Sequence, residues 1–117
     1  RNSIDVKLHA EGQRRWPFAM EKALYRVTQE ALTNVAKHSG ATAATVTLAA
    51  SDGWVRLTVE DNGHGLPPDG IRRGQSTLGL TSMRERAEQL EGRFSIGPGA
   101  DGVGTRVLVE LPIARGD

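Results

Sequence analysis

The chain has 117 residues, enough for one domain with a single core and too few to support two. Fifteen Lys and Arg against fourteen Asp and Glu leave a net charge of +1, so no overall field draws it to nucleic acid or to a membrane surface, and recognition must rest on local charge. The absence of cysteine removes disulfide scaffolds, thiol catalysis and Cys-ligated zinc together. In chain order, Ile4, Val6 and Leu8 alternate with Asp5, Lys7 and His9, which predicts a half-buried strand ended by Glu11-Gly12-Gln13. A helix over 17–38 follows, opened by Trp16-Pro17 and closed by Ser39-Gly40. Ala44, Val46 and Leu48, then Ser51-Asp52-Gly53, then Val55, Leu57 and Val59 predict a β-hairpin.

The second hairpin strand runs into Asp61-Asn62-Gly63-His64-Gly65. From Leu66 to Leu78 no period is visible; Pro67, Pro68, Gly70, Gly74 and Arg72-Arg73 mark a long loop of the kind that serves as a functional lid or is disordered. Leu80, Met83, Ala87 and Leu90 restore a helical stripe, with Gly92 in the position of a C-terminal cap. Phe94 and Ile96 form a strand, Gly97 to Gly104 a glycine-rich turn, and Val107, Val109 and Leu111 a last strand closed by Pro112. The order is β-α-β-β-lid-α-β-β. Every strand has one apolar and one mixed face, which predicts an α/β (α+β) fold: a two-layer sandwich with a mixed sheet and helices on one face. No apolar run nears the roughly 18–20 residues of a membrane span and no signal peptide opens the chain, so a soluble cytoplasmic domain without membrane contact is expected. Arg at position 1 with a strand pattern so close behind it suggests a single domain, 1–117, excised from a longer protein.

The first helix carries a polar stripe where a structural helix needs none. At about 3.6 residues per turn, Met20, Ala23, Leu24, Val27, Ala31 and Val35 gather into one apolar arc. Asn34 falls inside the arc, and Glu30 and Lys37 lie at its edge one turn to either side. Each such group costs roughly 1–3 kcal/mol if buried without a partner. They are satisfied either by their own Glu–Lys and Asn–backbone pairs at a domain edge or by a polar ligand resting on the helix. His38, near the middle of the arc, reads from its position as a core histidine.

Three further places combine glycine with a polar group. Asp61-x-Gly63-x-Gly65 puts a carboxylate at a strand end beside two residues without a Cβ, an ordinary turn or a cradle for a flat ligand. Gly79-Leu80 opens a helix whose first N–H groups could face an anion. Gly102-x-Gly104-Thr105 places a hydroxyl at the start of the last strand. P-loop, dinucleotide-fold, zinc-protease and serine-hydrolase motifs are absent.

Taken together, Glu30-x3-Asn34-x2-Lys37-His38, Asp61-x-Gly63-x-Gly65, Gly79-Leu80-x-x-Met83-Arg84-Glu85-Arg86 and Gly102-x-Gly104-Thr105 resemble the ATP-binding catalytic domain of bacterial sensor histidine kinases, over about residues 17–112. The Gly-Leu-x-x-Met-Arg-Glu-Arg run is most similar to the nitrate/nitrite-sensor and haem-based dormancy-sensor subfamily. The resemblance implies the two-layer ATP-binding fold shared with type II topoisomerases, Hsp90 and MutL, binding of ATP and Mg²⁺, and phosphoryl transfer to a histidine on a separate dimerisation domain, from which a response regulator is served. It implies that Asp61 reads adenine, that Thr105 supports it, and that Gly63 and Gly65 leave room for the ring. Asn34 would ligate Mg²⁺, and Lys37 and His38 would belong to the ATP-binding motif. Glu30 would be the general base, and the N–H groups at Gly79 and Leu80 would hold phosphate.

Two residues depart from the subfamily pattern: Thr77 and Ser82 stand where glycine is usual, which implies a stiffer lid or looser phosphates. None of His9, His38 or His64 has the setting of a phosphoacceptor. Two rival readings are a same-fold serine kinase of the anti-sigma type and an interaction module whose nucleotide site has decayed.

Overall fold

A computed structural model describes residues 4–11, 15–65 and 79–113. The expected loop from Leu66 to Leu78, with Thr77, lies outside the described residues, as do the turn residues Gly12 and Gln13, the side chain of His38 and the C-terminal four residues. Five strands form one mixed sheet: β1 (Asp5–Ala10), β2 (Ala43–Ser51), β3 (Trp54–Asp61), β4 (Arg93–Pro98) and β5 (Thr105–Pro112), in the spatial order β1-β2-β3-β5-β4. β1 runs parallel to β2, and the other three ladders are antiparallel. Two helices, α1 (Phe18–Asn34) and α2 (Leu80–Gln89), cover one face. The two-layer α/β arrangement expected from the periodicities is the one observed, and among the described residues no helix is long and apolar enough to cross a membrane.

The core forms where the alternating faces of β2, β3, β4 and β5 meet the apolar arc of α1. Val27, Leu57, Val59, Met83, Val109 and Leu111 are almost wholly buried, and every residue of the predicted arc, from Met20 to Val35, is buried too. The β2–β3 hairpin turns at Asp52-Gly53, both at positive φ (55° and 82°), which matches the twist of the flanking strands. Gly53 accepts the Ile113 N–H at 2.7 Å, tying the end of β5 to this turn.

β1 departs from the expectation of a half-buried strand. All six of its residues are exposed, Val6 at 50% and Leu8 at 69%. Alternation alone says that a strand has two unlike faces, not that a helix lies over one. β1 is the edge strand on the side away from the helix-covered centre, and the main core contains none of its residues. Ile4, just before it, packs with Val35, Ala41 and Ala44 in a small second cluster.

The first helix also differs in detail. Pro17 is its N-cap rather than a residue of its first turn, and Glu21 reaches back to accept the Trp16 N–H at 3.0 Å. That amide first, and the Arg15 guanidinium second, hold the Glu21 carboxyl below the usual carboxylate range. After Asn34 the helix does not stop but widens into a π-helical turn, Val35–Ser39, before Gly40 ends it in the left-handed region at φ 68°.

At the end of α2 the expected cap moves by one residue. Leu90, Glu91 and Gly92 direct their N–H groups to Ala87, Glu88 and Ala87, the paired bonds of a Schellman motif, and the left-handed residue is Glu91 (φ 63°), not Gly92. Gly92 is required for another reason, since a Cβ there would collide with the Glu110 backbone carbonyl, with the Leu111 side chain also within 2.6 Å. A left-handed glutamate is strained, so Glu91→Gly should stabilise the domain by about 0.5–1 kcal/mol, net of the extra chain entropy of glycine. A thermal melt should show a rise of a few degrees; an unchanged or lower midpoint would remove this account of the cap.

Candidate functional site

The ends of β3 and β5 and the last turn of α1 meet at one end of the sheet. Asp61 is the last residue of β3 and faces the helix layer, in phase with Val55, Leu57 and Val59. It is 8% exposed, an unusual burial for a carboxylate. Its Oδ1 accepts the Gly63 N–H at 2.8 Å, and among the described residues no hydrogen bond to Oδ2 is seen. Asn62 stitches the strand end to the start of β2: its Oδ1 accepts the N–H groups of Thr42 and Ala43, both at 3.0 Å, and its Nδ2 donates to Thr42 Oγ1 at 3.0 Å. The carboxylate is thus fixed by a loop that is itself fixed.

Glycines crowd around Asp61 because backbones converge there. A Cβ on Gly104 would lie 2.7 Å from the Asp61 carbonyl carbon and 3.0 Å from its Oδ1, and one on Gly65 would touch the Gly104 carbonyl at 3.4 Å. Thr105, partly buried, opens β5. Because Glu60 faces Arg106 across the β3–β5 ladder, Thr105 and Asp61 lie at the same end of neighbouring strands. Gly63 was expected to leave room for a ring. Its observed neighbour is Ser39, whose Cβ would lie 2.7 Å from a Cβ at position 63. That glycine therefore serves close approach between the Asp61 loop and the π-helical turn.

Ser39 is the clasp between these two parts. Its hydroxyl donates to the Val35 carbonyl at 2.8 Å and accepts the Ala41 N–H at 3.0 Å, while its carbonyl accepts the His64 N–H at 2.9 Å. It is buried, and with Asp61 makes up the buried polar residues of the described chain. By sequence Ser39 marks only the helix end and Asn62 only the turn after β3; the signal for a larger role is a hydrogen-bonding side chain beside Gly40 and Gly63, where the backbone leaves a regular element.

The polar stripe of α1 ends at the same place. Glu30 and Asn34 are partly buried and Lys37 is exposed on the π-helical turn. Gly79, the N-cap of α2 at φ 70°, sits directly against Glu30: a Cβ there would come within 2.5 Å of the Glu30 carboxyl carbon. The positive φ favours glycine at 79, and the contact shows how closely the Glu30 carboxylate lies against the start of α2. Leu80 contributes its side chain to the core, at 4% exposure, so only its backbone is available to a ligand. Ser82 is exposed on the first turn of α2. Among the described residues, no group of three His, Asp or Glu side chains could hold a metal ion by itself.

Contacts of Gly79 with Glu30, of Gly63 with Ser39 and of Gly104 with Asp61 thus link the four separated motifs pairwise on a helix-covered sheet. This fold and this grouping belong to a known class. Residues 19–115 match the family model of the histidine kinase-, DNA gyrase B-, and HSP90-like ATPases, and the chain belongs to that family.

Among individual proteins, the chain is 40% identical over 94 residues to the sensor histidine kinase LiaS of Bacillus subtilis, an alignment covering 80% of this chain and 25% of LiaS. It is 38% identical over 101 residues to the sensor protein VraS of Staphylococcus aureus, covering 86% of this chain and 28% of VraS. The chain spans between a quarter and a third of the length of these relatives. The histidine kinase domain of the Erythrobacter litoralis blue-light activated kinase EL346 matches with a TM-score of 0.77 at 28% identity, over 97% of this chain and 53% of that one. The ATP binding domain of PrrB from Mycobacterium tuberculosis matches with a TM-score of 0.76 at 25% identity, over 97% of this chain and 82% of that one.

Proposed function

We propose that this chain is the catalytic domain of a sensor histidine kinase, which binds ATP with Mg²⁺ and donates the γ-phosphoryl group to a histidine on a separate dimerisation domain. The observation that carries this reading is Asp61: a carboxylate buried at a strand end, with one oxygen committed to Gly63 and the other to no described donor. The exocyclic amino group of adenine would donate to that second oxygen; guanine offers a carbonyl at the same place and would be repelled. The close packing of Gly104 on the Asp61 backbone, and of Gly65 beside the Gly104 carbonyl, holds that carboxylate in a fixed place at the strand end.

The other residues fit the same substrate. Asn34 is the residue that would hold Mg²⁺, through its amide oxygen, and the ion when bound would neutralise phosphate charge. Lys37, exposed on the π-helical turn, reaches the phosphates as a mobile point charge, with His38 beside it in the motif. The backbone at Gly79 and Leu80 holds phosphate at the start of α2. Glu30 accepts the proton of the attacking imidazole as the γ-phosphorus to ADP-oxygen bond breaks and the phosphorus to nitrogen bond forms. The Gly79-Leu80-x-x-Met83-Arg84-Glu85-Arg86 run supports placement in the nitrate/nitrite-sensor and dormancy-sensor subfamily. The partners are then the protein's own dimerisation domain and, through it, a response regulator, in the cytoplasm.

Calorimetric titration of the chain with ATP, ADP and GTP, with and without Mg²⁺, tests this directly. Both adenine nucleotides should bind and GTP should not; equal binding of GTP would overturn the base-reading role. The chain alone should not label itself from radioactive ATP, since the acceptor histidine belongs to the dimerisation domain, and adding that domain should bring labelling back. Acid-labile phosphate on the isolated 117 residues would contradict the division of labour.

A further inference from the structure

We propose that Glu60, on the opposite face of β3 from Asp61, is a positioning residue for the base-reading end of the site. The proposal rests on Asp61 as the group that reads adenine. Along β3 the side chains of Val55, Leu57, Val59 and Asp61 face the helices, and those of Arg56, Thr58 and Glu60 face the open side of the sheet. The turn between β4 and β5 wraps the end of β3 from both sides. On the inner side Gly104 packs against Asp61 so closely that a Cβ would be 2.7 Å from its carbonyl carbon and 3.0 Å from Oδ1.

On the outer side the same turn is held by Glu60. Its Oε2 accepts the Ala100 N–H at 2.7 Å, the length of a strong charge-assisted bond, and its Oε1 accepts Arg106 Nε at 3.2 Å. Gly99 is buried beneath the carboxylate, where a Cβ would come within 3.0 Å of Oε2. The turn closes on itself through the Gly99 N–H to the Gly104 carbonyl at 3.2 Å, so a grip on Ala100 carries to Gly104. The Ala100 amide first, and Arg106 after it, hold the Glu60 carboxyl below the usual carboxylate range, which keeps it charged at neutral pH.

The two bonds differ in worth. The side chains of Glu60 and Arg106 are 28% and 45% exposed, so their ion pair is largely screened by water, whereas the bond to Ala100 fixes backbone. Glu60 therefore acts through the turn, and the turn sets how tightly Gly104 and Thr105 stand against Asp61.

The test measures ADP affinity and melting temperature for Glu60→Ala, Glu60→Gln and Arg106→Ala, at a temperature where all are folded. Arg56→Ala is the control, because it breaks an exposed 2.8 Å ion pair with Glu110 on the same face of the same strand. Glu60→Ala should weaken ADP binding roughly 10-fold, as expected for a small misplacement of a binding group. Glu60→Gln keeps an oxygen for the Ala100 N–H and should stay within about threefold of the native chain, as should Arg106→Ala. Arg56→Ala should bind normally whatever it does to melting. Native ADP affinity in Glu60→Ala, with binding lost in Asp61→Asn, would overturn the positioning role and leave the base reading intact. A Glu60→Gln variant as weak as Glu60→Ala would also overturn it, since charge rather than the turn would then be at work. If the native chain binds no ADP, the proposal falls together with the reading of Asp61.

Discussion

Asp61→Asn should abolish measurable adenine-nucleotide binding while the domain stays folded. The Gly63 N–H fixes the orientation of the new side chain, because only the amide oxygen can accept it at the 2.8 Å distance seen for Oδ1. The amide NH₂ then occupies the place of Oδ2 and meets the amino group of adenine donor to donor. A lost charge-assisted bond combined with an unpaired buried donor is expected to cost roughly 10²–10³-fold in affinity. The packing of Gly104 and the Asn62 stitching to β2 are untouched, so the melting temperature should move by no more than a few degrees. The loss should exceed that of Thr105→Ala, whose hydroxyl lies one strand away. The same NH₂ could donate to the carbonyl of guanine, so selectivity against GTP should shrink as ATP binding fails. Unchanged ATP affinity in the variant would remove Asp61 from the base pocket.

Glu30→Gln and Asn34→Ala, one helical turn apart, should fail in different ways. Glu30→Gln keeps the size of the side chain against Gly79 and removes the proposed proton acceptor. Mg²⁺-ATP affinity should stay nearly native, and phosphoryl transfer to the dimerisation domain should slow by roughly 10²–10⁴-fold, the range of general acid–base catalysis. Asn34→Ala should weaken ATP binding mainly when Mg²⁺ is present and leave metal-free binding almost unchanged, because the lost ligand belongs to the ion. If the stripe merely satisfies the helix, both variants lose roughly 1–3 kcal/mol of stability and neither separates binding from rate. Melting curves, affinities with and without Mg²⁺ and transfer rates for the pair distinguish the cases.

The layers of this fold were legible because they depend on period. The arc from Met20 to Val35, the hairpin through Asp52-Gly53 and the last strand all lie where alternation puts them. What period cannot carry is context. β1 has the same alternation as β3, but it lies at the edge that the main core does not reach, which leaves Leu8 at 69% exposure while Leu57 is at 2% and Phe94, on the other edge strand, at 8%. The glycine after α2 marks the left-handed position by sequence, yet Glu91 takes it, and Gly92 stands one place on, where a Cβ would collide with the Glu110 carbonyl. At the site, Asp61 and the stripe of α1 were visible as polar groups in the wrong environment. Asn62 and Glu60 were not, since each acts on backbone groups brought near only by folding, Glu60 on an amide forty positions away, and the side-chain bonds of Ser39 are local while its link to the Asp61 loop runs through its own carbonyl to His64.

The π-helical turn at Val35–Ser39 can be regarded as a matter of phase. An α-helix advances by about 100° per residue, so one residue more or fewer between Asn34 and Gly40 would swing everything beyond it by more than a quarter turn. The wider turn takes up one residue without disturbing the arc before it, and it delivers Ser39 to Gly63 with Asn34 still on the inner side of the helix. A shorter, regular helix would retain the core of α1 and lose its alignment with the end of β3. The parts of the site proposed to hold the metal and to read the base are thus kept in step by the π-helical turn.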